Sequence, residues 1–120
     1  MRKLLATAGV VTALVGAFPI NGSPSNKPTL SFEDLYNAFL CIHKYEGAWN
    51  DPNPPYYGGL QMDVGFQQAY GLEFYRAWGT ADHWPPSVQI HVAMKAYFSP
   101  AKYGIVGFSP WPNTRKLCHV

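Results

Sequence analysis

The sequence predicts a mainly helical domain of the α+β kind, with one small β-hairpin and a single disulfide. Three observations carry that expectation. Apolar residues recur at helical spacing between residues 32 and 46, and again between 87 and 98. Glycines and prolines at Gly47, Gly71, Gly79, Pro85, Pro86 and Pro100 sit where helices start or stop. Between them, Tyr56 to Met62 reads as a short extended hairpin around a Gly-Gly pair. With 120 residues, the chain has room for one domain and hardly two.

The N-terminus is not expected to belong to that domain. Arg2 and Lys3 form a positive n-region, Leu4 to Val15 is an almost purely apolar run, and Val15-Gly16-Ala17 offers small residues for cleavage. That is the layout of a secretory signal peptide. A spanning helix needs about 20 apolar residues, and this run ends sooner, at Pro19 and Asn21. Cleavage a few residues later, near Ser23, is the alternative, so residues 1–23 are assigned to the signal peptide and its cleavage region. Residues 24–31 are a flexible lead-in, and 32–120 form the domain. No membrane association is expected once the signal is removed.

Removing Arg2 and Lys3 leaves seven basic residues to face seven acidic ones. A formally neutral domain has no electrostatic case for binding nucleic acid or anionic lipid. Aromatics are plentiful instead, with four Trp, eight Tyr and six Phe beyond residue 20. They can build a core or stack on sugar rings. Cys41 and Cys118 would be exported to an oxidising compartment, where only one intramolecular pairing is open to them.

Ser31 is placed to cap the first helix, with Glu33 and Asp34 in its first turn. Phe32, Leu35, Tyr36, Phe39 and Ile42 make its apolar face. The helix is expected to run to Glu46 and to end on a left-handed Gly47. Prolines 52, 54 and 55 exclude regular structure from the next loop. Asp63 caps a second helix through Tyr70, ended by Gly71, and a third runs from Leu72 to Trp78. Pro85 and Pro86 open a fourth helix that continues from Ser87 to about Phe98, with Ile90, Ala93, Met94 and Tyr97 on one face, and Pro100 stops it. The tail from Lys102 is expected to be irregular.

Glu46 is the leading catalytic candidate. It lies in the last turn of a helix, where the macrodipole disfavours a carboxylate, and Tyr45 and Trp49 can exclude water from it. A carboxyl kept protonated in such a place can act as a general acid. The competing reading is an ordinary surface glutamate. His43 precedes Glu46 by three residues, and His-x-x-Glu can hold a metal. His83, His91 and His119 stand apart from it, so no metal site and no cofactor are expected. No phosphate loop or nucleophile elbow is present in the sequence.

The string His43-Lys44-Tyr45-Glu46-Gly47-Ala48-Trp49-Asn50, followed by Tyr56-Tyr57-Gly58-Gly59-Leu60-Gln61, resembles the core of the resuscitation-promoting-factor and transglycosylase-like domains (actinobacterial type) of the lysozyme-like superfamily. The tail Gly107-Phe108-Ser109-Pro110-Trp111-Pro112, ending near Cys118, is similar too. The resemblance implies a lysozyme-like fold with its hairpin beside a sugar cleft, and Glu46 as the catalytic acid. It implies a secreted or cell-wall protein that cleaves the β-1,4 bond between N-acetylmuramic acid and N-acetylglucosamine. In that chemistry one Glu protonates the glycosidic oxygen and then accepts the proton of the sugar's own C6 hydroxyl, leaving a 1,6-anhydro product. The loop Asp51-Pro52-Asn53-Pro54-Pro55 is shorter than the family's and lacks its sugar-contacting Thr, and Gly47 stands where Ser is more usual.

Substrate contacts are expected from Trp49, Asp51, Tyr57, Gly58, Gly59 and Gln61. Gln61 would hydrogen-bond an N-acetyl or hydroxyl group, Trp49 and Tyr57 would stack on sugar faces, and the glycines would let backbone approach the ligand. Asp51 is the nearest second carboxylate for a hydrolase, which needs a pair. The expected partner is the peptidoglycan glycan strand, bound by a monomer; a partner endopeptidase is not specified. A non-catalytic wall-binding protein and a small structural protein are the competing functions.

Overall fold

The computed structural model describes residues 30–99 and 107–120. The expected signal peptide, residues 24–29 of the lead-in, and Pro100 with the start of the tail lie outside the described residues. The described chain is mainly helical. Helix α1 spans Phe32–Glu46, α2 Val64–Trp78, α3 Pro86–Tyr97 and α4 Thr114–Leu117, with a 3-10 turn at Ala81–His83. No described helix is long and apolar enough to cross a membrane.

Helix α1 begins as its sequence suggests. Ser31 Oγ accepts from the Asp34 amide at 3.0 Å and donates to the Asp34 carboxylate at 2.7 Å. Leu35, Ala38, Phe39 and Ile42 are buried along one face. Phe32, expected on that face, is 72% exposed and stacks on Tyr36 instead. It sits in the first turn, at the rim of the core.

Gly47 ends α1 in extended backbone, φ 172° and ψ 178°, not in the expected left-handed cap. Its role is close approach: a Cβ there would lie 3.0 Å from Gln61 Nε2 and 3.4 Å from Asp51 Oδ2.

Asp63 caps α2 by accepting from the Phe66 amide at 2.7 Å. The two helices expected on either side of Gly71 form one, kinked at Gly71 (φ −140°, ψ 37°). The glycine marks a crossing and not an end. A Cβ on Gly71 would come within 2.8 Å of Val92 Cγ2 and 3.0 Å of the Trp84 ring, so its absence lets α2 lie close against α3. Gly79, at φ 84°, is the actual stop.

Pro86 occupies the first turn of α3, where its missing N–H costs nothing. Ile90, Val92, Ala93, Met94 and Ala96 are buried against α1 and α2. The expected hairpin is a single antiparallel bridge, Tyr57 to Met62, with reciprocal hydrogen bonds of 3.0 Å closing the turn between them. The tail is less irregular than expected, since it carries α4. Phe108 and Trp111 bring it into the core, their rings 5.3 and 5.1 Å from that of Phe39. Cys41 and Cys118 form the disulfide, spanning 77 positions with Cα atoms 5.9 Å apart.

Candidate active site

Glu46 ends α1 with a half-buried side chain. Its Oε2 accepts a 2.8 Å hydrogen bond from Thr114 Oγ1, and Thr114 is buried. The helix C-terminus presents partial negative charge to this carboxylate, and the hydroxyl donor opposes that repulsion. Two anchors bring Thr114 to this place. The disulfide ties the residue after α4 to α1, and Trp111 is wedged against Phe39. Tyr45, expected to exclude water beside Glu46, is 51% exposed.

The loop after Glu46 folds back on itself through Asp51. The Asp51 carbonyl accepts from the Gly58 amide at 2.9 Å. Its Oδ1 accepts from the Asn53 amide at 3.1 Å and from Asn53 Nδ2 at 2.7 Å. Its Oδ2 accepts from Gln61 Nε2 at 2.9 Å. Both carboxylate oxygens are therefore engaged within the protein.

Gln61 adopts φ 51°, a left-handed conformation that side chains other than glycine rarely take. Its amide nitrogen compensates with two hydrogen bonds, to Asp51 Oδ2 and to the Gly58 carbonyl at 2.9 Å. Such strained residues persist only where neighbours over-determine them.

Side chains from four parts of the chain hold the turn that carries Gln61. Gln89 of α3 accepts from the Gly59 amide at 2.8 Å, and its Nε2 donates to the Trp49 and Trp84 carbonyls at 2.9 and 3.0 Å. His43 Nδ1 of α1 donates to the Gly59 carbonyl at 3.1 Å. Trp111 Nε1 donates to the Leu60 carbonyl at 2.8 Å. Gln67 of α2 donates to the Met62 carbonyl at 2.7 Å and accepts from the Ala81 amide at 2.9 Å. Leu60, Met62, Gln67 and Gln89 are all buried. Buried amides satisfied in this way make a rigid platform.

The glycines serve this platform. At Gly58 (φ 76°) a Cβ would meet Gln89 Oε1 at 2.5 Å, and at Gly59 it would collide with the Trp49 ring and lie 2.6 Å from His43 Nδ1. The close approach at both is to the protein's own side chains. Trp49 is half-buried and stacks on His43, with ring centroids 3.7 Å apart at 18°. Tyr57 is half-buried in the bridge. Among the described residues, no three His, Cys, Asp or Glu side chains converge as metal donors. His43 faces Gly59 and Trp49.

A recess of about 230 Å³ adjoins Gln61, walled by Tyr56, Met62, Asp63, Phe66 and Trp111. Tyr56, 50% exposed, lines it where the sequence had pointed to Tyr57. A larger apolar groove of about 640 Å³ runs between α1 and α3 past Phe32, Tyr36, Met94 and Phe98, and shares no lining residue with the platform.

Three contributors escaped the sequence reading: Thr114, Gln67 and Gln89. The two glutamines carried a signal, since each interrupts an otherwise apolar helix face. Thr114 carried none. No protein-family model, curated protein or solved structure matches the chain.

Proposed function

We propose that the protein is an exported enzyme that cleaves the glycan strand of peptidoglycan between N-acetylmuramic acid and N-acetylglucosamine. Glu46 acts first as general acid and then as base. The observation that carries this reading is the half-buried Glu46 carboxylate, held through one oxygen by Thr114 and set directly before the Gly47–Asp51–Gln61 contact.

Thr114 orients Oε2, which leaves Oε1 for the substrate. The proton on Glu46 passes to the glycosidic oxygen as the C1–O bond breaks. The C6 hydroxyl of the same sugar attacks C1 and gives its proton to the carboxylate, which restores the acid and leaves a 1,6-anhydro ring. Hydrolysis would need a second free carboxylate. Asp51 is the nearest, and both of its oxygens already accept hydrogen bonds. That favours the intramolecular route over hydrolysis. Gln61 retains its carbonyl oxygen as an acceptor for a sugar hydroxyl or N-acetyl N–H. Trp49 and Tyr57 offer ring faces, and a lysozyme-like cleft over the 57–62 turn would bring them to the strand.

The same engaged Asp51 also suits a wall-binding protein without turnover, which is the second reading. The test is incubation of the secreted, disulfide-bonded protein and its Glu46→Gln variant with purified peptidoglycan, with soluble products read by mass. Anhydro-muropeptides from the parent alone are expected. Reducing-end products would mean hydrolysis. No products, with both proteins sedimenting with the wall, would leave the binding reading.

A further inference from the structure

The recess of about 230 Å³ beside Gln61 is defined by the atoms its wall leaves unmet. Its side-chain N–H groups are all engaged within the protein. Trp111 Nε1 donates to the Leu60 carbonyl, and Gln61 Nε2 donates to Asp51 Oδ2 and to the Gly58 carbonyl. Both partners of that nitrogen are acceptors, so the Gln61 amide cannot turn over without losing both bonds. Its Oε1 stays without a partner among the described residues. Asp63 commits Oδ1 to the Phe66 amide, and its Oδ2 likewise has no partner among the described residues. The Tyr56 hydroxyl apart, the side chains of the wall therefore offer acceptors only, and one of them belongs to a carboxylate. No Lys, Arg or His lines the recess.

Three aromatic rings complete the wall. Tyr56 is exposed, Phe66 is half-buried and Trp111 is buried, with the Phe66 and Trp111 centroids 5.8 Å apart at 72°. Ring faces attract a cation. An ammonium group brings three donors and no acceptor, which matches the unmet atoms, and the carbon chain behind it matches the apolar wall of Met62 and Pro110. The N-terminus of α2 opposes a cation here with about half an elementary charge. Asp63, its N-cap, carries a full negative charge and outweighs it.

We propose that this recess binds a primary ammonium group carried by the wall polymer. Peptidoglycan offers two sources: the side-chain amine of the diamino acid in its peptide stem, and the amine of a glucosamine unit that has lost its acetyl group. The choice of polymer rests on the glycan-cleavage reading; the ammonium site does not. Asp63 supplies the charge, Gln61 Oε1 a second acceptor, and Tyr56 the accessible ring face.

The test follows the ring protons of Tyr56 and Trp111 by NMR in the secreted, disulfide-bonded protein during titration with two pairs of probes. One pair is Nα-acetyl-lysine amide and its Nε-acetylated form; the other is glucosamine and N-acetylglucosamine. The charged member of at least one pair should bind about tenfold more tightly than its neutral counterpart. Preference in the lysine pair assigns the stem amine, and preference in the glucosamine pair assigns the sugar amine. Asp63→Asn should abolish the preference and keep the helix, since Asn caps about as well as Asp. Tyr56→Leu, at an exposed position, should weaken binding of the charged probe about threefold. Equal binding within both pairs would overturn the inference, as would a preference that survives Asp63→Asn. Muropeptide release by a parent protein with no ammonium preference would remove the recess and leave strand cleavage standing. Ammonium preference without muropeptide release would keep the recess and remove strand cleavage.

Discussion

Thr114 Oγ1 lies 2.8 Å from Glu46 Oε2, across 68 positions of sequence, and joins the end of α1 to the start of α4. On the proposed reading, this contact leaves the other carboxylate oxygen, Oε1, to meet the substrate. Thr114→Val keeps the shape and removes the donor. A hydrogen bond to a charged group is worth about 1.5–3 kcal/mol, so kcat should fall about tenfold or more with KM little changed. Thr114→Ser should retain most of the activity. Steady-state release of muropeptides measures both, and equal activity in the Val and parent proteins would remove Thr114 from the mechanism.

Gln89 is fully buried and serves three backbone groups at once, the Gly59 amide and the Trp49 and Trp84 carbonyls. Gln89→Leu would leave all three without partners in a low-dielectric site. The expected cost is about 2–4 kcal/mol, read as a shift in the urea midpoint. The Gly58–Gln61 turn should also loosen, visible as faster amide exchange at Gly59.

The helices are readable from sequence where apolar spacing and a capping residue agree, as at Ser31 with Leu35, Phe39 and Ile42, or at Asp63. Glycine is read less reliably, because it serves both as a stop and as a site of close approach. Gly79 stops a helix. Gly71 kinks one so that Val92 and Trp84 can pack against it, and Gly47 makes room for Gln61. Periodicity cannot separate these roles. Glu46 is singled out by its unfavourable place in the last turn. Thr114 is not, since its role depends on a contact that only the folded chain creates.

Gly59 and Gly65 make a matched pair of probes. Gly59→Ala would drive a methyl group into the Trp49 ring and against His43, both fixed by their own stacking. A loss of about 2–3 kcal/mol is expected, with reduced turnover because the platform shifts. Gly65, in the first turn of α2, meets only Asp63 Oδ1 at 3.5 Å. Gly65→Ala should stabilise by about 0.5–1 kcal/mol through helix propensity. Thermal melts of the two variants should move in opposite directions.

The disulfide acts on stability and, on the proposed reading, would act through Thr114 on activity. Closing a loop of 77 positions corresponds to about 4.5 kcal/mol in the loop-entropy treatment. A double Cys41→Ala, Cys118→Ala protein should therefore lose much of its urea resistance. The Cys118 amide also donates to the Thr114 carbonyl at 3.1 Å, so the bridge holds the helix that presents the Thr114 hydroxyl. Measured where the bridge-free protein is still folded, its kcat should fall about as far as that of Thr114→Val, because the same Glu46 contact is lost. Adding Thr114→Val to the bridge-free protein should then change little, since mutations that act through one contact are not additive. A further full drop in kcat would show that the bridge supports catalysis by some route other than the Glu46–Thr114 contact.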